Sequence, residues 1–260
     1  LTAAVAAANA DALGLSDRIV VECADARSAD LSTVDAVFCD PARRRGGTRV
    51  FDPRAYAPPW EFVAGLPGAV PRTVLKLAPG LDHGLVPGGA EAEWVSVRGE
   101  VVEAALWCGP LAEVPRRATL LPEGLTLAGP GSERAPVGPV RRYLLDPDGA
   151  VVRAHLVAEF AATVGGTLAD PDIAYVYADT PASTGYARCF EVREVLPFSL
   201  KRLRGVLRER GVGRLTIKKR GSALDPDELR RQLRLSGANE LTVVLTRVAG
   251  APTALLCQPA

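Results

Sequence analysis

Short apolar runs separated by Gly, Pro and charged residues dominate the first half of the chain. β-Branched and apolar residues predict three strands in this part, at 19–23, 34–39 and 73–77. An alanine-rich segment over 2–13 predicts a helix before the first of these strands. The second strand must end at Asp40-Pro41, because proline cannot continue a β-ladder. Strands that alternate with helices indicate a parallel α/β sheet.

Further strands are predicted close together in the middle of the chain. They are expected over 93–97, 101–108, 118–121 and 125–128. The short intervals favour hairpins and hence an antiparallel edge on the sheet. A Gly/Pro-rich stretch over 130–139 is typical of a boundary, so we expect one domain over 1–135.

The second half combines amphipathic helices with strands. Asp148 and Asp225 are expected to cap helices over 148–164 and 228–235, and leucines at helical spacing predict another helix over 199–210. Alternating residues predict strands at 214–218, 241–248 and 253–257. We therefore expect a connecting helical and extended region over 136–195, followed by a compact α+β domain over 196–260.

Composition narrows the function without defining it. The chain is 48% hydrophobic, but no apolar run is long enough to span a membrane, and no signal peptide is evident, which favours a cytoplasmic location. Five widely spaced cysteines without a C-x-x-C motif predict buried thiols and no metal site. With only two histidines, a histidine-based triad is poorly supported.

Charge is distributed unevenly along the chain. Residues 197–235 contain twelve Lys/Arg and four Asp/Glu, which gives this segment a charge of +8 and leaves −7 for the rest. Such asymmetry indicates either a surface that faces a polyanion or a solvated helix face.

Two acidic residues follow successive predicted strands. Asp25 comes after the strand at 19–23, and Asp40 comes after the strand at 34–39. Because ligands of open α/β sheets bind at the carboxyl ends of the strands, these carboxylates could hold two points of a nucleoside. Either residue could equally be a helix cap.

The order of motifs resembles class I S-adenosylmethionine-dependent methyltransferases. It is carried by Asn9-Ala10, Leu13-Gly14-Leu15, Asp17-Arg18-Ile19, Asp25-Ala26 and the run from Asp35 through Asp40-Pro41. The resemblance implies a Rossmann-like sheet and S-adenosylmethionine as cofactor. It implies that Asp25 and the N–H of Ala26 contact adenine, and that Asp40 and Pro41 lie near the methyl group and the target base.

Parts of the family pattern are missing or altered. The Gly-rich loop and the acid that binds ribose would precede Leu1, so we expect a truncated domain that binds the cofactor weakly by itself. Arg43 stands at the catalytic end where amino-group methyltransferases carry an aromatic residue, and Lys76-Leu77-Ala78-Pro79 offers no nucleophilic cysteine. Direct transfer to a nitrogen or oxygen of a base is therefore favoured over covalent catalysis.

Basic residues in two places predict contacts with RNA. Arg44 and Arg45 follow the catalytic motif in an Arg/Gly-rich loop, where they could clamp a phosphate. The segment Ile217-Lys218-Lys219-Arg220-Gly221, with Leu224-Asp225-Pro226, is similar to the THUMP-like domain of a bacterial group of such enzymes. That resemblance implies binding of RNA, either tRNA or rRNA. The residues assigned to it are Lys201, Arg204, Arg208, Lys218, Lys219 and Arg220.

Three functions follow from these motifs. The first is an RNA methyltransferase whose basic domain captures the substrate. The second is a non-catalytic RNA-binding protein on a methyltransferase scaffold, and the third is a methyltransferase of small molecules. The sequence does not predict an oligomeric state.

Overall fold

Two large β-sheets with helices packed on them form the structure, a computed structural model that describes residues 1–42, 44–45, 48–49 and 56–260. The predicted α/β class is confirmed. The described helices are α1 (Thr2–Ala12), α2 (Trp60–Ala69), α3 (Gly149–Arg153), α4 (Val157–Thr163), α5 (Leu200–Glu209) and α6 (Pro226–Leu233). The described part contains no helix long and apolar enough to cross a membrane.

Strands account for most of the remaining regular structure. In the first half they are β1 (Val37–Cys39), β2 (Arg44–Arg45), β3 (Thr48–Arg49), β4 (Thr73–Leu77), β5 (Glu91–Val97), β6 (Glu100–Trp107), β7 (Arg116–Leu121) and β8 (Leu125–Gly129). In the second half they are β9 (Tyr143–Pro147), β10 (Thr167–Leu168), β11 (Val176–Ala178), β12 (Ala187–Pro197), β13 (Val212–Lys219), β14 (Asn239–Val248) and β15 (Ala251–Pro259).

The first sheet is mixed and has the order β1-β4-β6-β5-β7-β8. The pairs β1–β4 and β5–β7 are parallel, whereas β6 runs antiparallel to both of its neighbours. The predicted antiparallel hairpins are therefore confirmed. Four strands of this sheet, β1, β4, β5 and β7, run in the same direction, so their carboxyl ends lie along one edge of the sheet.

Apolar burial explains the order of elements around β4. Helix α2 connects β1 to β4 and packs Val63 against Leu75 and Leu77, which are all fully buried. Trp94 of β5 lies in the same core. Burying side chains of this size supplies roughly 1.5–3 kcal/mol each, which holds α2 against β4.

One strand that the sequence predicts is absent. Residues 19–23 form no ladder with any described strand, and Val20 is 87% exposed. An apolar run becomes a strand only where a neighbour satisfies its backbone groups, and β1, the expected neighbour, pairs with β4 alone. The outer edge of β1 therefore stays open among the described residues, with Phe38 67% exposed.

The second sheet has the order β10-β11-β9-β12-β15-β14-β13. One face is covered by α5 and α6 through Leu203, Leu207 and Leu229. A separate core that includes Tyr175 and Phe190 fills the other face. Strands from 136–195 thus pair directly with strands from 196–260, and the domain ranges 1–135, 136–195 and 196–260 stay a prediction.

Capping was predicted better than helix continuity. Asp148 accepts a 2.8 Å hydrogen bond from the N–H of Ala150, and Asp225 accepts one of 2.8 Å from Glu228, as expected for N-caps. The single helix predicted over 148–164 is wrong, because the chain divides it into α3 and α4. His155 lies between them with φ +60°, a left-handed conformation that no continuous helix accommodates.

Candidate active site and nucleic-acid interface

Asp40 directly follows β1 at its carboxyl end, beside β4, the strand that pairs with β1 in parallel. Cys39 is level with Leu75, so Asp40 is level with Lys76 of β4. The Nζ atom of Lys76 is 3.0 Å from Oδ2 of Asp40 and 3.7 Å from Oε2 of Glu103 on β6. Pro41 is buried directly after it, which fixes the exit from the strand.

Lys76 is a site residue that the sequence analysis missed. Its signal was present: a single lysine interrupts the apolar strand Thr-Val-Leu-Lys-Leu. The ammonium of a lysine in such a strand must reach solvent or a carboxylate, and here it reaches two carboxylates, those of Asp40 and Glu103. The ammonium fixes where the Asp40 carboxylate points.

Asp25 is separate from this pair. It caps a 3-10 turn, Ala26–Ser28, and accepts a 3.0 Å hydrogen bond from the N–H of Arg27. The guanidinium of Arg27 also donates to both carboxylate oxygens, and these hydrogen bonds lower the pKa of Asp25 to about 2. No contact among the described residues joins Asp25 to Asp40.

The N–H of Ala26 opens the same turn. Among the described residues it donates to no acceptor, and Ala26 is exposed. A free N–H beside a carboxylate matches the hydrogen-bonding edge of an adenine, which carries an acceptor ring nitrogen next to a donor amino group.

The basic loop after Asp40 is described only in part. Arg43, expected at the catalytic end, lies outside the described residues. The backbone of Arg44 and Arg45 forms β2, which pairs antiparallel with β3, so the expectation of a loop is wrong at these two residues.

Lys218 and Arg220 are brought together by the carboxylate of Asp146 on β9, which three other strands separate from β13 in the second sheet. Nζ of Lys218 is 2.8 Å from Oδ2 of Asp146, and Nη2 of Arg220 is 2.9 Å from Oδ1. Each cation also lies over an aromatic ring, that of Phe190 for Lys218 and that of Tyr175 for Arg220. Both are therefore held in place before any ligand arrives.

The other basic residues assigned to RNA make different contacts. Arg204 donates to the carbonyl of Gln232 at 2.7 Å, and Arg208 to that of Arg234 at 3.3 Å, so both satisfy carbonyl groups at the end of α6. Lys219 donates to the carbonyl of Leu224 at 2.8 Å. Lys201 is exposed on α5.

The thiols give little support for covalent chemistry. Burial, and next to it the charge of Asp40, raise the pKa of Cys39, which disfavours the nucleophilic thiolate. All five cysteines are free. Cys108 and Cys257 are buried as expected, Cys39 and Cys189 are only partly buried, and the expectation is wrong for Cys23, which is exposed. Among the described residues no group of three or more His, Cys, Asp or Glu side chains could hold a metal ion.

The two histidines, distant in sequence, are stacked in the fold. The rings of His83 and His155 are 3.8 Å apart between centroids, and His83 also stacks on Trp94 at 4.8 Å. Burial lowers the pKa of His83 to about 4, and the nearby His155 and Arg116 contribute to this shift.

Comparison with known proteins identifies the C-terminal part. The family model described as "THUMP domain-like" matches residues 187–259, which comprise β12 to β15 with α5 and α6. We call residues 187–259 the THUMP-like domain, after the family model that they match. The predicted THUMP-like resemblance is confirmed.

Longer similarities extend through the first sheet. Two Mycobacterium tuberculosis proteins, from strains CDC 1551 and H37Rv, are each named "uncharacterized S-adenosylmethionine-dependent methyltransferase". Each is 41% identical over 244 residues, a match that covers 87% of this chain and 65% of the relative. The chain thus spans slightly less than two thirds of these curated relatives. The resemblance to S-adenosylmethionine-dependent methyltransferases with a THUMP-like domain is confirmed.

A solved structure shares the fold. The crystal structure of a Porphyromonas gingivalis W83 protein, described as a "putative methyltransferase", superimposes with a TM-score of 0.66 at 22% identity. The superposition covers 87% of this chain and 60% of the Porphyromonas gingivalis chain. The expected combination of a methyltransferase-like sheet with a small α+β domain is therefore confirmed as a fold.

Proposed function

We propose that the whole protein transfers a methyl group from S-adenosylmethionine to RNA, directly onto a nitrogen or oxygen of a base. The observation that carries this proposal is the Asp40–Lys76 pair at the edge where the parallel strands β1 and β4 end. That edge is where open α/β sheets bind their ligands. The relatives named as methyltransferases support the choice of reaction.

The residues present fit one end of the cofactor. Asp25 and the free N–H of Ala26 would hold the adenine, but Arg27 now occupies the carboxylate of Asp25 and must give way or share it. The bound cofactor would supply an electrophilic methyl group.

Asp40 would act on the substrate. Its carboxylate is 43% exposed, and it can accept a hydrogen bond from the N–H or O–H of the target base, which increases the electron density on the attacking atom. Lys76 keeps the carboxylate in one orientation, so that the target is positioned before transfer. No protein nucleophile is required, which agrees with the raised pKa of Cys39.

RNA capture is assigned to the THUMP-like domain and the basic loop. The family model supports this role for the part that contains Lys218, Lys219 and Arg220. The dense positive charge of 197–235 supports it independently of the resemblance.

A methylation assay tests the proposal. Total RNA from cells that lack the gene is incubated with tritiated S-adenosylmethionine and the whole protein, and labelled nucleosides are identified by mass spectrometry. We expect Asp40→Ala to abolish transfer while RNA binding is unchanged, whereas Asp35→Ala, an exposed aspartate before the same strand, retains activity. Normal activity of Asp40→Ala would refute the assigned role. Labelling of small molecules without RNA would favour the small-molecule alternative.

A further inference from the structure

A cavity of about 500 Å³ lies between the two sheets. The first sheet contributes the β5–β6 turn, Arg98-Gly99, and the end of β7. The second sheet contributes residues of β9, β12 and β13. Four basic side chains line it, against three carboxylates; the basic ones are Arg98, Arg188, Lys218 and Arg220, and the acidic ones are Glu123, Asp146 and Asp148.

Two of the basic side chains are unpaired. Asp146 is occupied by Lys218 and Arg220, and Asp148 caps α3. Arg98 and Arg188 are exposed and form no ion pair with any described residue. Two guanidinium groups without partners in one cavity leave donors that match the geometry of a phosphate.

Arg98 occupies a position that does not suit its side chain. Its φ is +53° and that of Gly99 is +85°, the values of a two-residue type I′ turn, in which Asn, Asp or Gly is preferred. The N–H of Arg98 donates to the carbonyl of Leu121 at 2.9 Å, which anchors this turn on β7. An arginine kept in a strained conformation beside a cavity points to a functional role.

Gly99 brings the second arginine to the same turn. A Cβ atom placed on Gly99 would lie 3.5 Å from Nη2 of Arg188, so the guanidinium of Arg188 reaches across from β12 to the turn that carries Arg98. The two cations thus belong to different sheets and meet at one opening.

The cavity faces the same edge as Asp40. Strands β5 and β1 point in the same direction, so Arg98, directly after β5, lies at the edge where Asp40 follows β1. In the register of the sheet, Asp40 is level with Lys76 of β4, Ala105 of β6 and Glu93 of β5. Arg98 comes five residues after Glu93. At about 4.8 Å between strands and about 3.3 Å per residue, the separation is roughly 20 Å.

From this geometry we infer that the cavity binds the phosphodiester backbone of the substrate RNA through Arg98 and Arg188, with Lys218 and Arg220 behind them. The inference rests on the proposed function, since that function supplies the RNA. A strand held here contacts both sheets and runs along the edge towards Asp40. The cavity would therefore set which nucleotide reaches the active site.

Binding of fluorescently labelled bulk bacterial tRNA tests this inference. The double variant Arg98→Asn, Arg188→Gln removes both charges, and Asn suits the left-handed position, so folding should be preserved. The control, Arg72→Gln with Arg134→Gln, removes two exposed arginines outside 197–235 that form no ion pair with a described residue and do not line the cavity. We expect the cavity variant to bind at least about tenfold more weakly than the control. We also expect its slope of log K against log salt to be smaller by about 1.4, since each phosphate contact in a single strand contributes about 0.7.

Equal affinities of the cavity variant and the control would overturn the inference and leave the methylation proposal intact. If the unmodified chain does not bind tRNA but the cavity binds inorganic phosphate, the inference is also overturned, together with the RNA part of the proposed function. Loss of methyl transfer in Asp40→Ala with normal tRNA binding is a separate result, so the two failures can be distinguished.

Discussion

Lys218 and Asp146 form a 2.8 Å ion pair although three strands, β12, β15 and β14, separate their own strands in the second sheet. A flat sheet would place β9 and β13 about 19 Å apart, at roughly 4.8 Å per step. The sheet must therefore curl so that β9 and β13 approach each other around the core that contains Tyr175 and Phe190. Asp146 joins them by binding Lys218 and Arg220 at once.

Removing that carboxylate should destabilise the curled sheet. The Asp146 side chain is 13% exposed, so Asp146→Asn leaves two partly buried cations without a charged partner. We expect a loss of about 2 kcal/mol in the free energy of unfolding, less than the roughly 3–5 kcal/mol of a fully buried pair. Urea unfolding of the variant and the original chain measures this loss of free energy. Glu240→Gln, which breaks an exposed pair with Arg214, should cost less than about 0.5 kcal/mol, and a similar cost for both variants would contradict this role.

Lys76 should position Asp40 without contacting the substrate. Lys76→Met releases the carboxylate, so we expect kcat for RNA methylation to fall by about 10–100-fold while KM for RNA stays constant. Lys76→Arg keeps a cation within reach and should restore part of the rate. Glu103→Gln removes only the longer, 3.7 Å contact and serves as the control. A change in KM alone would show that Lys76 binds RNA instead.

The stability of the fold should depend on His83 in weakly acidic solution. Its pKa is about 4 in the folded chain, below the ordinary 6.5, so the unfolded chain binds a proton more readily. Its contribution is fully present above pH 6.5 and is lost as pH falls towards 4. Charged or titratable groups near it include His155, Arg116 and Asp82. Thermal unfolding of His83→Gln should therefore vary less with pH between 6.5 and 4 than that of the original chain, and unchanged pH dependence would exclude His83 as the cause.

The sequence predicted local features well and contacts between distant segments poorly. Strand β4, the caps at Asp148 and Asp225, and the end of β1 at Asp40 each follow from a few neighbouring residues. The missing strand at 19–23 and the break at His155 depend on what surrounds the segment, which an apolar pattern does not contain.

The same limit applies to the site. The basic residues of the THUMP-like domain were predicted from their number, but their partners lie far away in the sequence. Asp146 is 72 residues from Lys218, and Arg188 approaches Gly99 from another sheet. The number of charges also does not distinguish Arg204 and Arg208, which satisfy carbonyl groups at the end of α6, from arginines without such a contact.

No described strand covers the outer edge of β1, and this affects how the chain by itself behaves in solution. Unpaired backbone groups on an edge strand form a template on which another chain can add a strand, and natural proteins often block such edges with lysine or proline. β1 reads Val-Phe-Cys and has neither, and Phe38 is exposed on it. We therefore expect concentrated solutions of the chain to aggregate through β1, and we expect a charged residue in place of Phe38 to reduce this aggregation.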